Sequence, residues 1–301
     1  MSGRIGFIGL GDIGAPMAQR IEQAGHPLHV YNRSQARTLS FAGRGVPVAA
    51  TIADLARECD IVFTCVSDTA AVEHVVFGEG GLAQTGRPGM LLVDVSTIHP
   101  VATREMSVRL KRESGIGWVD APVSGGPSGA RAGTLAVMAG GEKDDVERAR
   151  PILMSFAGRV THMGASGCGM AGKIFNQMLS FATATVMAET FNMAARFGMD
   201  PALIPEAVAG GFADSNVMRH YGRAMVEGSY RGNTKTAVKD MDIAVDLARA
   251  TGSPIPMTGL VSSFFRMALA QGCASGGLCA PMYLYAQGPL VPYRAPGKDQ
   301  P

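Results

Sequence analysis

The run Arg4-Ile-Gly-Phe-Ile-Gly-Leu-Gly-Asp-Ile-Gly-Ala-Pro-Met17 constrains this chain more than any other stretch. Apolar residues with β-branching (Ile5, Phe7, Ile8) stop at three glycines spaced Gly9-x-Gly11-x-x-Gly14, and an amphipathic pattern (Ile13, Met17, Ile21) follows. Strand, glycine turn and helix in that order form the context in which this spacing reads as a dinucleotide-binding fingerprint. Gly9 permits the tight turn, Gly11 lets the backbone approach a pyrophosphate, and Gly14 lets helix and strand pack closely. The helix N-terminus offers N–H groups and a positive dipole end to the phosphates. Leu10, Asp12 and Ile13 complete the cofactor-facing turn. The competing reading is a structural glycine turn in another α/β protein.

Around this motif the chain alternates short apolar runs with helical patterns. Strands are expected at Ile5–Gly9, Leu28–Asn32, Val46–Ala49, Ile61–Val66, Leu91–Asp94 and Trp118–Ala121. Helices are expected near 14–25, 34–43, 51–58, 69–77 and 100–114, the rhythm of a doubly wound parallel sheet. Two more strand-like runs, Thr134–Ala139 and Arg159–Met163, flank a charged helix near 143–157 and extend the sheet at its edge. After Gly164-Ala-Ser-Gly-Cys-Gly169 the texture turns helical, with pieces near 169–197, after Asp200-Pro, and near 215–227, 235–251 and 256–272. The expected fold class is thus α/β, an N-terminal Rossmann domain (1–163) followed by an all-α C-terminal substrate and dimerisation domain (164–290). A loose tail, 291–301, follows.

Composition narrows the function classes. The 301 residues suffice for two domains, and 47% hydrophobic with 17% charged residues is globular. A net charge of +2 gives no electrostatic case for nucleic acid. Five cysteines (Cys59, Cys65, Cys168, Cys273, Cys279) without a CxxC fit reduced, mostly buried thiols in a cytoplasmic protein. No signal peptide is expected, since residue 4 already belongs to the fold. The apolar stretch around Met178–Ala195 carries Glu189 and Asn192, and reads as a buried helix rather than a membrane span. The histidines show no ligand spacing, so no metal is expected.

NAD enzymes of this type place an acidic residue at the end of the second strand. Here that strand ends in Asn32-Arg33-Ser34, and no carboxylate occurs between Glu22 and Asp54. An arginine with hydroxyl and amide neighbours suits a 2′-phosphate, which favours NADP, with NAD as second choice. Alternatively Asn32 begins a helix cap and Arg33 is solvated surface.

Four blocks together resemble the β-hydroxyacid dehydrogenase family, which includes 3-hydroxyisobutyrate dehydrogenase, tartronate semialdehyde reductase and the more distant 6-phosphogluconate dehydrogenase. They are Phe7-Ile-Gly-Leu-Gly-Asp-Ile-Gly-Ala-Pro-Met17, Asp94-Val-Ser-Thr-Ile-His-Pro100, Asp120-Ala-Pro-Val-Ser-Gly-Gly-Pro127 and Gly164-Ala-Ser-Gly-Cys-Gly-Met-Ala-Gly-Lys-Ile-Phe-Asn176. Ile13 stands where the family usually has Met, and Asn176-Gln177 where a paired Asn-Asn is common. The latter variant resembles the tartronate semialdehyde reductase group.

Lys173 lies on a predicted helix with Asn176, Gln177 and Ser180 three, four and seven residues on, so all four face one way. Reduction of an aldehyde needs a proton donor beside the oxygen that gains charge, and a desolvated lysine can supply one. The resemblance implies that Lys173 is this general acid/base, against a plain reading as a snorkelling surface lysine. It implies too that Ser124, Gly125 and Gly126, with Asn176 and Gln177, bind the substrate carboxylate and hydroxyl. Glycines at such a turn free backbone N–H groups for an anion. Val66, Ser67, Asp68 and Thr97 fall at carboxyl ends of parallel strands, where ligands bind in such sheets, or else cap the helices that follow. Lys239, at the expected start of a helix, is carried over as a cofactor- or substrate-side lysine; a surface Lys239–Asp240 pair is the competitor. Phe212, Asp214 and Asn216 are expected near the substrate side chain.

The expected reaction is hydride transfer between a nicotinamide and a small β-hydroxy acid or semialdehyde, by a homodimer or homotetramer. An imine reductase-like enzyme is the alternative, though such enzymes generally lack the lysine. A non-catalytic dinucleotide-binding module is the other.

Overall fold

A computed structural model describes residues 3–285. The chain divides into two compact units, residues 1–173 and 174 onward. In the first, β1 (Ile5–Ile8), β2 (Leu28–Tyr31), β3 (Ile61–Thr64), β4 (Leu91–Asp94) and β5 (Gly117–Asp120) pair in parallel in the order β2-β1-β3-β4-β5. β1, β3, β4 and β5 are buried at every residue. Strands covered on both faces need that unbroken apolar run.

Their side chains alternate between two cores. Phe7, Phe63, Val93 and Val119 point to one face, with Met17 and Ile21 of α1 (Gly14–Gln23). Val62, Leu92 and Trp118 point to the other. There they meet α3 (Ile52–Glu58), α4 (Thr69–Phe77) and α6 (Pro100–Ser114) through Leu55, Val72, Val76 and Leu110. Two four-residue helices, α2 (Leu39–Ala42) and α5 (Leu82–Thr85), complete the connections. β1 has β2 on one side and β3 on the other, so the connections from its neighbours leave in opposite directions at this point. Ligands bind at such a switch point, beyond the carboxyl ends of the strands.

Beyond β5 come β6 (Val123–Ser124), α7 (Gly126–Ala132), β7 (Leu135–Gly140), α8 (Lys143–Leu153) and β8 (Ala157–Gly164). β7 runs antiparallel to β5 and β6, and β8 parallel to β7. The sheet is therefore parallel through β5 only, and its far edge is mixed. Helix α7 replaces the simple turn expected there; Gly126, Gly129 and Gly133 hide its periodicity. The strand expected at Val46–Ala49 reduces to a single bridge, Val30 to Val48. Pro47 has no N–H to donate, which limits the ladder. The helix expected over 34–43 becomes a 3₁₀ turn, Gln35–Thr38, followed by α2.

The second unit is helical. It contains most of α9 (Cys168–Phe197), then α10 (Ile204–Ala207), α11 (Asn216–Glu227), α12 (Thr234–Thr251), α13 (Pro256–Ala270) and α14 (Ala280–Tyr285). One core gathers Ile174, Phe181, Met241 and Phe265, with the two phenyl rings 5.0 Å apart. A second gathers Met187, Phe191, Met218 and Met225, where flexible thioethers fill the gaps between helices. The units meet in sequence at 173/174, ten residues beyond the expected 163/164 boundary, because the first turns of α9 are bonded to β5. The expected tail, 291–301, and residues 286–290 lie outside the described residues. Among the described residues no helix is long and apolar enough to cross a membrane.

Candidate active site

The glycine turn closes the switch point with little slack. Gly9 has φ +98°, and a Cβ there would lie 2.1 Å from the Cys65 carbonyl oxygen. A Cβ on Gly14 would lie 2.0 Å from the Gly9 carbonyl oxygen. A Cβ on Gly11, by contrast, would meet nothing within 4 Å. Two glycines are thus required by the protein's own packing, while the middle one opens onto free space. A pyrophosphate fits that cradle, next to the N-terminus of α1, where no side chain makes a capping bond.

Asn32 is part of the same turn. The Leu10 N–H donates to Asn32 Oδ1 at 2.9 Å, and Asn32 Nδ2 donates to the Ser34 carbonyl at 2.9 Å. Asn32 therefore ties the end of β2 to the glycine turn rather than beginning a helix. Arg33 and Ser34 are exposed just beyond it. Arg37, which the sequence did not single out, donates to the Leu10 carbonyl at 3.1 Å and pairs with Asp12 at 3.6 Å. Its signal was its position one turn beyond Arg33.

The ends of β3 and β4 are laced together. The Thr64 hydroxyl and the Ser96 N–H donate to Asp94 Oδ1, at 2.9 and 3.0 Å, and the Val66 N–H donates to Ser96 Oγ at 3.0 Å. Val66 and Thr97 are half-buried beside this lacing, and Ser67 is exposed. Asp68 caps α4, accepting the Ala71 N–H at 2.9 Å, so the capping role holds for it. Burial pushes the neighbouring Cys65 thiol up to about 12, with Asp94 adding to the rise.

Ser124, Gly125 and Gly126 lie together at the junction of β6 and α7, with positive φ at both glycines (+129° and +63°). Upstream of them, Asp120 is buried at the end of β5 and accepts N–H groups from the first turn of α9. Lys173 follows one turn later on α9, in the first unit, and is only 8% exposed. Long charged side chains are rarely that buried without a task or a partner.

In the second unit a polar chain runs across two helices. Asn176 Nδ2 donates to Gln177 Oε1 at 3.0 Å, and Gln177 Nε2 donates to Asp240 Oδ2 at 2.7 Å. Lys239 Nζ lies 3.3 Å from Asp240 Oδ1. Asp240 is 2% exposed, so the Lys239–Asp240 pair is not a surface pair. Sequence reasoning named Asp240 only as that competitor and missed its burial. Lys239 does not start its helix: α12 begins at Thr234, where Asn233 caps the Lys235 and Thr236 N–H groups. Phe212 is fully exposed, Asn216 begins α11, and Asp214 is clamped by Arg219 at 2.6 Å. That guanidinium holds the Asp214 carboxyl down at about 2. Among the described residues no cluster of His, Cys, Asp and Glu could hold a metal ion.

Residues 4–164 match the family model of the NAD-binding domain of 6-phosphogluconate dehydrogenase. Residues 167–285 match the model described as NAD-binding of NADP-dependent 3-hydroxyisobutyrate dehydrogenase. The 2-hydroxy-3-oxopropionate reductase of Escherichia coli K12 is 34% identical over 273 residues, covering 89% of this chain and 92% of the relative. Among solved structures, 3-hydroxyisobutyrate dehydrogenase of Mycobacterium tuberculosis with L-serine is 28% identical at a TM-score of 0.85, covering 95% of this chain and all of that one. An imine reductase of Streptomyces aurantiacus is more distant: at 19% identity, TM-score 0.63 and coverage of 94% and 100%, it shares the fold alone.

Proposed function

Because the chain belongs to the β-hydroxyacid dehydrogenase family, and so is an NAD(P)-dependent oxidoreductase of small hydroxy acids, we propose that Lys173 is its general acid/base and NADP its preferred cofactor. The observation that carries this reading is a lysine 8% exposed, one helical turn beyond the Met170 N–H that a buried aspartate, Asp120, accepts, on a helix whose next turn carries Asn176 and Gln177. The turn Gly9–Gly14 would hold the nicotinamide cofactor, which would supply or accept the hydride. Lys173 Nζ delivers a proton to the substrate oxygen as charge develops there, and takes it back in the oxidising direction. Ser124, Gly125 and Gly126 hold the carboxylate through the hydroxyl and the N–H groups that their positive-φ turn releases. Asn176 and Gln177 orient the hydroxyl, and Asp240 in turn holds Gln177 and Lys239 in place.

The choice of NADP over NAD rests on Arg33 and Ser34 beyond the Asn32 tie, with no carboxylate in the sequence between Glu22 and Asp54 to repel a 2′-phosphate. Val66, Ser67, Asp68 and Thr97 line the same strand ends. Phe175, Leu179, Val186 and Met193 form an exposed stripe on α9 at spacings of four and seven residues. Such a stripe suits a helix of a second copy, which makes the protein a homodimer or homotetramer. Its buried thiols suit a reducing, cytoplasmic setting.

The test is a spectrophotometric assay with short semialdehydes and both reduced cofactors. Lys173→Ala should lose turnover by roughly 10²–10⁴-fold while cofactor binding persists. Surviving turnover, or loss of binding too, contradicts the role of the lysine.

A further inference from the structure

A single buried carboxylate connects the two catalytic elements of the first unit. The residue at the N-cap position of α9 is Gly167, which has no side chain with which to cap the first N–H groups. Instead Asp120, 47 and 50 residues earlier, accepts the Gly167 N–H on Oδ1 at 2.8 Å and the Met170 N–H on Oδ2 at 2.9 Å. Both carboxylate oxygens are spent on the helix, and the positive end of the dipole faces them. The surrounding glycines enforce this docking. A Cβ on Gly140 would lie 2.7 and 2.8 Å from the Asp120 oxygens and 2.6 Å from the Gly169 nitrogen. A Cβ on Gly169 would lie 2.4 Å from the Asp120 carbonyl and 2.5 Å from that of Met138. The helix end thus rests on the ends of β5 and β7 with no layer of side chains between.

From this arrangement we infer that Asp120 is a positioning residue for Lys173, its carboxylate fixing the first turn of α9 against the strand that also leads into the Ser124-Gly125-Gly126 turn. The inference rests on the proposed role of Lys173. Ser124 lies four positions after Asp120, and Lys173 three positions after Met170. One side chain therefore sets the register between the carboxylate-holding turn and the acid/base amine. A displacement of the amine by about 1 Å suffices to lower a rate by roughly 10²-fold.

The same contacts give the device a pH response. Burial pushes the Asp120 carboxyl up to about 6, against the pull of the Gly167 and Met170 N–H groups, and the charge of Asp94 adds to the rise. Asp94 is its register partner on β4. On α9 the titratable residues of the first two turns are Cys168 and Lys173, β7 carries none, and from α6 Arg104 donates to the Ser166 carbonyl at 3.2 Å and to Cys168 Sγ at 3.8 Å. A protonated carboxyl keeps one good acceptor for two donors, so one N–H of the helix loses its partner and the amine loses its fixed position.

The experiment compares wild type, Asp120→Asn and Lys173→Ala in semialdehyde reduction from pH 5 to 9. In wild type kcat should fall on the acid side with an apparent pKa near 6. In Asp120→Asn kcat at pH 8 should be lower by about tenfold or more, with the affinity for NADPH within about twofold of wild type, and the acid limb should vanish. A purely structural role would lower thermal stability and leave that limb in place. An acid limb that persists in Asp120→Asn, or an undiminished kcat, overturns the positioning role while Lys173→Ala remains inactive. Turnover that survives in Lys173→Ala overturns both readings, since no amine is then left to position.

Discussion

The two crowded glycines and the open one of the cofactor turn should separate folding from binding when each is replaced by alanine. In Gly14→Ala the new methyl would lie 2.0 Å from the Gly9 carbonyl oxygen, a backbone atom with no rotamer to escape into. Gly9 is itself pinned, since its N–H donates to the Tyr31 carbonyl at 3.0 Å and the Cys65 carbonyl stands against its Cα. Overpacking of this kind costs about 1–3 kcal/mol or more, and the better helix propensity of alanine offsets at most about 1 kcal/mol. A net loss of about 2 kcal/mol lowers Tm by roughly 4–8 °C in a unit of this size. Gly11→Ala meets nothing within 4 Å and does not need a positive φ, so its Tm should stay within about 1 °C of wild type. Its Kd for NADPH should nonetheless weaken by about tenfold or more, because the methyl occupies the approach to the pyrophosphate. Circular dichroism melts and a fluorescence titration with NADPH read the two quantities on the same preparations. If Gly11→Ala is as unstable as Gly14→Ala, or binds NADPH as wild type does, the assignment of the open glycine to the phosphates is refuted.

Three further outcomes can be checked. Arg33→Ala should weaken NADPH binding by about 10- to 100-fold, the worth of a charge-assisted contact to phosphate, and leave NADH nearly unchanged; equal losses for both would remove the phosphate role. The raised pKa of Asp120, about 6 against an ordinary 3.8, means that the folded state takes up its proton before the unfolded chain does. That contribution to stability is fully present below about pH 4 and is lost as pH rises through about 6. Denaturant titrations should therefore show wild type gaining about 1 kcal/mol relative to Asp120→Asn between pH 7.5 and 5, and parallel curves would contradict it. Leu179→Glu, in the middle of the exposed stripe on α9, should shift the protein to a smaller species in sedimentation while its melting by local probes changes little; an unchanged mass would place the interface elsewhere.

Much of the first unit was legible because its signals are local. The glycine turn, the continuous apolar strands and the cap at Asp68 each depend on residues within a few positions of one another, as does the cap at Asp200 in the second unit. Helix α7 was hidden because glycines that permit close packing on Leu135 also erase the apolar period. The strand at Val46–Ala49 failed because Pro47 removes a donor that periodicity alone does not register. Lys173, Asn176 and Gln177 could be proposed from the sequence because residue type and helical spacing carry the chemistry there. The site was not legible where a partner is remote in sequence. Asp120 reads as a strand end until Gly167 and Met170 are seen on its oxygens, and Asp240 reads as half of a surface pair until its burial and its bond to Gln177 are known.

The acid/base role of Lys173 is tested most directly by a crystal structure of the protein with NADP and a small β-hydroxy acid bound. Lys173 Nζ should lie at about 2.6–3.2 Å from the substrate hydroxyl, on the carbon that faces C4 of the nicotinamide, with the pyrophosphate against Gly11. A Lys173 amine directed into solvent and distant from the bound dinucleotide would contradict that role.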